Sequence, residues 1–161
     1  MLTLGSTEAR ATPGDLPARV TLDGVGGVRP GLTERQVEAR WGIRLRLDDA
    51  FGLECQPAPV RVGTLDGYAI FLRGRFGALF LRRGAVTGTG VRIGSTLTQL
   101  RRAYGRGLTS RPNKYTPGAR DFFVRRARAP HWQLRIDVSP RGRVTQIAFG
   151  DDAVRLVEGC A

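Results

Sequence analysis

The clearest periodicity lies near the C-terminus. Trp132, Leu134, Ile136 and Val138 alternate with Gln133, Arg135, Asp137 and Ser139. A period of two predicts a strand with one face on a core and the other polar. The turn pair Gly142-Arg143 and a second apolar run with Ile147 and Phe149 complete an antiparallel hairpin. A matching hairpin is predicted over residues 66–82, with Gly74-Arg75 as its turn pair. There Tyr68, Ile70 and Leu72 are assigned to the covered face. Phe76, Leu79 and Leu81 join them through a bulge near Gly77. Ala69, Phe71 and Arg73, with Ala78 and Phe80, are left to the opposite face. Phe71 and Phe80 are therefore expected on an exposed sheet face, where adjacent aromatics mark a binding surface.

Two segments have a helical period instead. Val37 and Trp41 lie four apart, as do Leu100 and Tyr104, so each pair shares one helix face. Thr33 and Gln36 stand three apart, as do Thr96 and Gln99, which is the spacing of a capping box. Gly42 and Gly105 follow as helix stops. Helices this short are marginal alone and need a sheet to bury their stripe. Between these segments, Val20 to Leu22 reads as a first strand, and Ile43, Leu45 and Leu47 as a short one. Pro57 and Pro59 belong at a sheet edge or outside the ladder. DFFVRR from Asp121 reads as a strand and residues 106–120 as a long basic loop.

The helical segments echo each other. GVRPGLTERQVEARWG begins at Gly27, and GVRIGSTLTQLRRAYG begins at Gly90. A repeated supersecondary unit implies duplication. The expected fold is α+β: two tandem helix-plus-antiparallel-sheet repeats, with the helices packed on one face of the sheet. The units span 19–87 and 88–161 of one compact domain, after a flexible N-terminal segment, 1–18.

The repeated string of Gly-apolar-x-x-Gly, Thr-x-x-Gln, apolar, aromatic and Gly resembles the repeat of the beta-lactamase inhibitory protein family. It is also similar to the small outer-membrane-assembly lipoprotein fold. With the terminal EGCA, the tandem copies look closest to exported actinobacterial proteins of that kind. The resemblance covers roughly 20–160. It implies an extracytoplasmic, non-enzymatic protein that acts by binding. The inhibitory family presents an aspartate and aromatics from its loops, and LDDAFGLEC places Asp48 and Asp49 comparably. The family's first loop cysteine has no counterpart here, so beta-lactamase inhibition is not expected. Cys55 and Cys160, the two cysteines, are either reduced thiols or one disulfide. Their even number, and the export that the resemblance implies, favour the disulfide.

Composition adds a compartment and a charge. The N-terminus lacks a basic start and an apolar stretch, so an exported form carries its signal outside this sequence. No run of eighteen apolar residues predicts a membrane span. The chain has a net charge of +12. From Arg73 to Arg128 there are 14 basic residues and one acidic residue, Asp121, so the excess is local. Arg101, Arg102, Arg106, Arg111 and Lys114 are predicted to form one anion- or partner-binding patch around the end of the second helix. Lipid headgroups, envelope polymers and an acidic protein all suit it. Tyr104, Tyr115, Phe122 and Phe123 interleave with the basic residues, which leaves a cytoplasmic nucleic-acid-binding protein as the alternative.

Candidate chemistry changes little. His131 is the single histidine and forms no triad motif with Ser139 or a cysteine. Asp151-Asp152 reads as a turn rather than a metal site. GTGVRIGS precedes a helix as a dinucleotide loop would, but the parallel strand and acidic ribose ligand are missing. The sequence calls for no catalytic residue, cofactor or metal.

Overall fold

A computed structural model describes residues 19–156 and Cys160, and the expected flexible segment 1–18 lies outside the described residues. In chain order the elements are β1 (Arg19–Val20), α1 (Glu34–Trp41), β2 (Gln56–Val62), β3 (Leu65–Leu72), β4 (Arg75–Arg83), β5 (Val86–Thr87), α2 (Leu97–Tyr104), β6 (Leu108–Pro112), β7 (Arg120–Arg125), β8 (Gln133–Val138) and β9 (Val144–Gly150). Seven strands form one antiparallel sheet in the order β2-β3-β4-β9-β8-β7-β6, and β1 pairs separately with β5 in parallel.

This architecture corrects the expected α+β fold. Among the described residues the protein is mostly β, with 43% strand and two short helices, and tandem helix-plus-sheet repeats are not seen. The reason lies at the centre of the sheet. Leu79, Phe80 and Leu81 of β4 face Phe149, Ala148 and Ile147 of β9, and all six are buried. Strands that are apolar on both faces need cover on both. They therefore pair in the middle of a single sheet. The residues at 43–47 form no strand, whereas the predicted basic loop contains the edge strand β6. Prolines sit on both outermost strands, Pro57 and Pro59 in β2 and Pro112 in β6.

Both helices start as their spacing predicts. The Thr33 and Thr96 hydroxyls accept from the Gln36 and Gln99 amides, and each glutamine side chain accepts from its threonine's amide. Val37, Trp41 and Leu100 bury against one face of the sheet. The Trp41 ring meets Phe76 edge-on at 6.1 Å, and its indole N–H donates to the Val25 carbonyl at 3.0 Å.

The β3–β4 hairpin turns at Arg73-Gly74, both with positive φ (50° and 72°). That is the backbone a two-residue hairpin loop requires. The bulge expected near Gly77 is present, since Phe71 opposes Phe76 while Ile70 opposes Ala78. The phase of β3 is nonetheless the reverse of that predicted. Ala69 and Phe71 join Phe76, Leu79 and Leu81 on the helix side, and Tyr68, Ile70 and Leu72 turn to the far side with Ala78 and Phe80. The expected exposed pair does not exist. Phe71 is 0% exposed and Phe80 is 1% exposed, on opposite faces of the sheet.

The C-terminal segment covers Phe80 and its neighbours. Asp152–Arg155 makes a 3-10 turn whose Ala153 and Val154 pack on Ile70, Ala78, Phe80 and Ala148. A Cβ at Gly150 would collide with the Gly77 carbonyl, so the chain enters this segment past two close backbones. The disulfide favoured from the sequence lies beyond it. Cys55 and Cys160 are joined, with Cα atoms 5.3 Å apart.

Candidate functional site

The loop before α2 is fixed at several points. The Arg92 amide donates to Ser95 Oγ, the Ser95 amide to the Arg92 carbonyl, and Gly94 and Val144 are joined through Gly94 N to Val144 O at 2.8 Å. Val144 N then donates to the Ser95 carbonyl, and Leu97 N to the Gly142 carbonyl. These bonds hold the loop, the start of α2 and the β8–β9 turn together. Between them lies a cleft of about 790 Å³, whose lining includes Arg92, Arg102, Arg143, Gln99 and Ser95. Three guanidinium groups and no carboxylate line it among the described residues. Arg143 Nη1 donates to the Gly94 carbonyl at 3.2 Å, which orients one of them.

The surroundings of α1 are different. Arg75 likewise donates to a carbonyl just before the helix, that of Gly31, at 3.3 Å. But α1 has Glu34 in its first turn, and Glu38 accepts from the Leu45 amide and pairs with Arg44. The first turn of α2 has no acidic residue. The positive field is therefore uncompensated at α2 and mixed at α1.

The predicted five-residue patch does not form as a unit. Arg101, Arg102 and Arg106 are exposed on α2 and the 3-10 turn after it. Arg111 lies on the far face of the sheet. Its Nε donates to buried Asp121 at 3.1 Å, and its Nη2 donates to the Arg155 carbonyl. It is a structural cation. Lys114 follows β6, whose five residues carry the chain about 17 Å from its start. There its Nζ lies 5.3 Å from the Tyr115 ring centre. Arg92 and Arg143 were missing from the predicted patch. Arg92 belongs to the repeated Gly-Val-Arg-x-Gly string and Arg143 to the Gly-Arg pair before β9, but nothing in the sequence places the two together.

The far face was expected to be open to water, with Arg135 and Asp137 on the polar side of β8. Instead Arg135 is buried beneath the C-terminal segment. Its fork grips Asp137 at 2.7 and 3.1 Å, it lies 3.4 Å from Asp121, and its Nη1 donates to the Val154 and Leu156 carbonyls. Gln133 bridges the same segment, donating to Asp152 and accepting from Arg155. Beyond this cover the face presents Tyr68, stacked on Phe80 at 4.9 Å, with Arg82 5.9 Å from its ring centre. Burial pushes the Tyr68 hydroxyl above its ordinary value, partly offset by Arg82 and Arg135. Phe51 and Leu53, in the loop before Cys55, are exposed apolar residues.

Burial also pushes the Asp137 carboxyl up, beyond what the bonds from Arg135 restore. A carboxyl with a raised folded-state pKa binds its proton more readily in the native state. Its contribution to stability is complete below the unfolded value and is lost as pH rises through the folded one. Asp137→Asn should therefore flatten part of the stability profile in that window. Urea unfolding of both proteins at a series of pH values gives the difference. A wild-type-minus-variant difference that rises with pH there would contradict the assignment.

Among the described residues, no group of three or more His, Cys, Asp or Glu is placed to hold a metal ion, and no helix is long and apolar enough to cross a membrane. His131 is exposed just before β8.

No family model matches the chain, and no curated protein matches it. Among solved structures it is similar to a cysteine-rich secretory protein from Staphylococcus aureus subsp. aureus Mu50, with 9% identity and a TM-score of 0.47. The alignment takes in 80% of this chain and 46% of that one, so the chain spans about half the length of the neighbour.

Proposed function

We propose that the protein is a non-enzymatic, exported binding domain that takes an anionic partner on the surface around α2. The partner class is an acidic protein or an anionic component of the cell envelope. The observation behind this reading is the cleft lined by Arg92, Arg102 and Arg143 without a carboxylate, continued by exposed Arg101 and Arg106. Like charges lining one cleft repel, and an anionic ligand relieves that repulsion. The Cys55–Cys160 disulfide supports an extracytoplasmic location, because such bonds persist in oxidising compartments.

The nucleic-acid alternative has weaker support. It relied on aromatics interleaved with basic residues as stacking platforms. Phe122 and Phe123 are buried in the sheet. Arg111 and Arg155 also flank the Phe123 ring at 5.1 and 4.5 Å.

Binding to anionic vesicles, poly-glutamate and polyphosphate at rising salt is the test. Affinity is expected to fall steeply with salt, since screening shortens the reach of exposed charges to about 8 Å at physiological strength. Replacing Arg92, Arg101, Arg102, Arg106 and Arg143 by glutamine should abolish it. Binding that ignores salt, or that survives the five substitutions, would refute the reading.

A further inference from the structure

We infer that the cleft beside α2 is a phosphate-ester site, in which Arg92, Arg102 and Arg143 grip the phosphoryl oxygens of a phosphomonoester or phosphodiester group. This deepens the anion-binding reading and rests on it.

The three arginines come from three separate segments: the loop before α2, the helix itself and the β8–β9 turn. Each base is fixed. Arg92 follows buried Val91 and lies in the bonded pair with Ser95. Arg102 lies on α2, two residues after buried Leu100. Arg143 bridges to Thr96 and donates to Gly94. Groups carried on rigid bases lose less freedom when a ligand arrives.

Helix starts commonly hold anions through their first amides. Here the Thr96 and Gln99 amides are bonded in the capping box. The Gly94, Ser95 and Leu97 amides are bonded to carbonyls. The main chain therefore offers little, and recognition falls to the guanidinium forks.

That restriction selects the ligand. A guanidinium fork bonds two oxygens of an oxyanion side by side. One carboxylate has two oxygens and suits one fork. Three forks lining one cleft match a phosphoryl group, or consecutive phosphates, with more oxygens spread in three dimensions. Val91, Ile93 and Ala103 also line the cleft. They give an apolar wall for the carbon skeleton that an esterified phosphate carries. A phospholipid headgroup and a soluble polyol-phosphate polymer share this chemistry.

Calorimetric titration of the full chain tests the assignment. The probes are pyrophosphate, glycerol phosphate, citrate as a carboxylate of similar charge to pyrophosphate, and poly-glutamate. Pyrophosphate is expected to bind about 10-fold or more tighter than citrate, as one additional charge-assisted pair implies. Arg92→Gln, Arg102→Gln and Arg143→Gln should each weaken pyrophosphate about 10-fold. Arg44→Gln and Arg128→Gln, outside the cleft, should not. Arg143→Lys keeps the charge and loses the fork, so it should behave like Arg143→Gln. Melting temperatures equal to wild type show that the variants are folded. Sedimentation with phosphatidylglycerol vesicles, compared with a soluble polyol phosphate, separates the two natural sources. Equal affinity for citrate and pyrophosphate, or full rescue by Arg143→Lys, overturns the phosphate assignment and leaves the general anion reading standing. If none of these anions binds, both fall.

Discussion

Replacing Cys55 and Cys160 together by serine is expected to lower the unfolding free energy by about 4–5 kcal/mol. The bond closes a loop with a sequence separation of 105. On the chain-entropy model, a cross-link of that span removes about this much freedom from the unfolded chain. Guanidinium unfolding of the wild type, the double variant and the reduced wild type measures it. The latter two should agree. The disulfide joins the residue before β2 to the end of the segment that covers Ile70, Ala78 and Phe80. Its removal should thus also speed hydrogen exchange in that segment more than in β4 or β9. A loss under about 1 kcal/mol would mean that the unfolded chain retains the loop or that the bond is strained.

The second large effect is expected at Arg135. Arg135→Leu should destabilise the protein by about 3–5 kcal/mol, the usual consequence of removing one partner from a buried charge cluster. Asp121 and Asp137 have side chains only 2% and 16% exposed. Asp121 would keep Arg111 and Asn113, whereas Asp137 would lose both arms of its fork. The Val154 and Leu156 carbonyls would lose a donor as well. Combining Arg135→Leu with Asp137→Asn removes the stranded charge and should recover much of the loss, while Asp121 keeps Arg111 and Asn113. The single variant's deficit should also shrink in acid, as the Asp137 carboxyl takes up a proton. Denaturant midpoints for the single and double variants decide this. A double variant as unstable as the single one would place the effect in packing rather than in charge.

Local rules made the helices legible. Thr33 with Gln36 and Thr96 with Gln99 close their capping boxes within four residues, where sequence spacing is structure. The β8 alternation was equally readable, because Leu134, Ile136 and Val138 face the core without interruption. The phase of β3 was not. The bulge at Gly77 was foreseen, but the apolar content of β3 fits either face, and a second register shift with β4, between Asp66 and Gly67, was not foreseen. The cover over Phe80 was also hidden. DDAVRLV has no strand or helix period, and its anchors Gln133 and Arg135 lie 19 to 22 residues away. The fold class failed for a related reason: the repeat described helix starts well and said nothing of which strands would share a sheet. At the candidate site, Arg111 was misjudged although its clue was present. Asp121 is the only acid among fourteen bases, and in the β6–β7 hairpin it sits directly opposite Arg111. Arg92 and Arg143 were overlooked because their segments come together only through the bonds joining the pre-helix loop to the β8–β9 turn and β9.

Pro57, Pro59 and Pro112 lie on the two outermost strands, β2 and β6. An open sheet ordinarily offers its rims as templates for another chain's backbone, the route to fibrils and to strand-exchanged dimers. Proline has no amide hydrogen to offer and interrupts the row of donors that such templating needs. Growth of the sheet at either rim is therefore blocked by the same three residues. An extended peptide gains little purchase there, and recognition is left to side chains. Under conditions that turn many β-rich chains into filaments, this one should remain dispersed. Pro112→Thr is the change that would reopen the β6 rim.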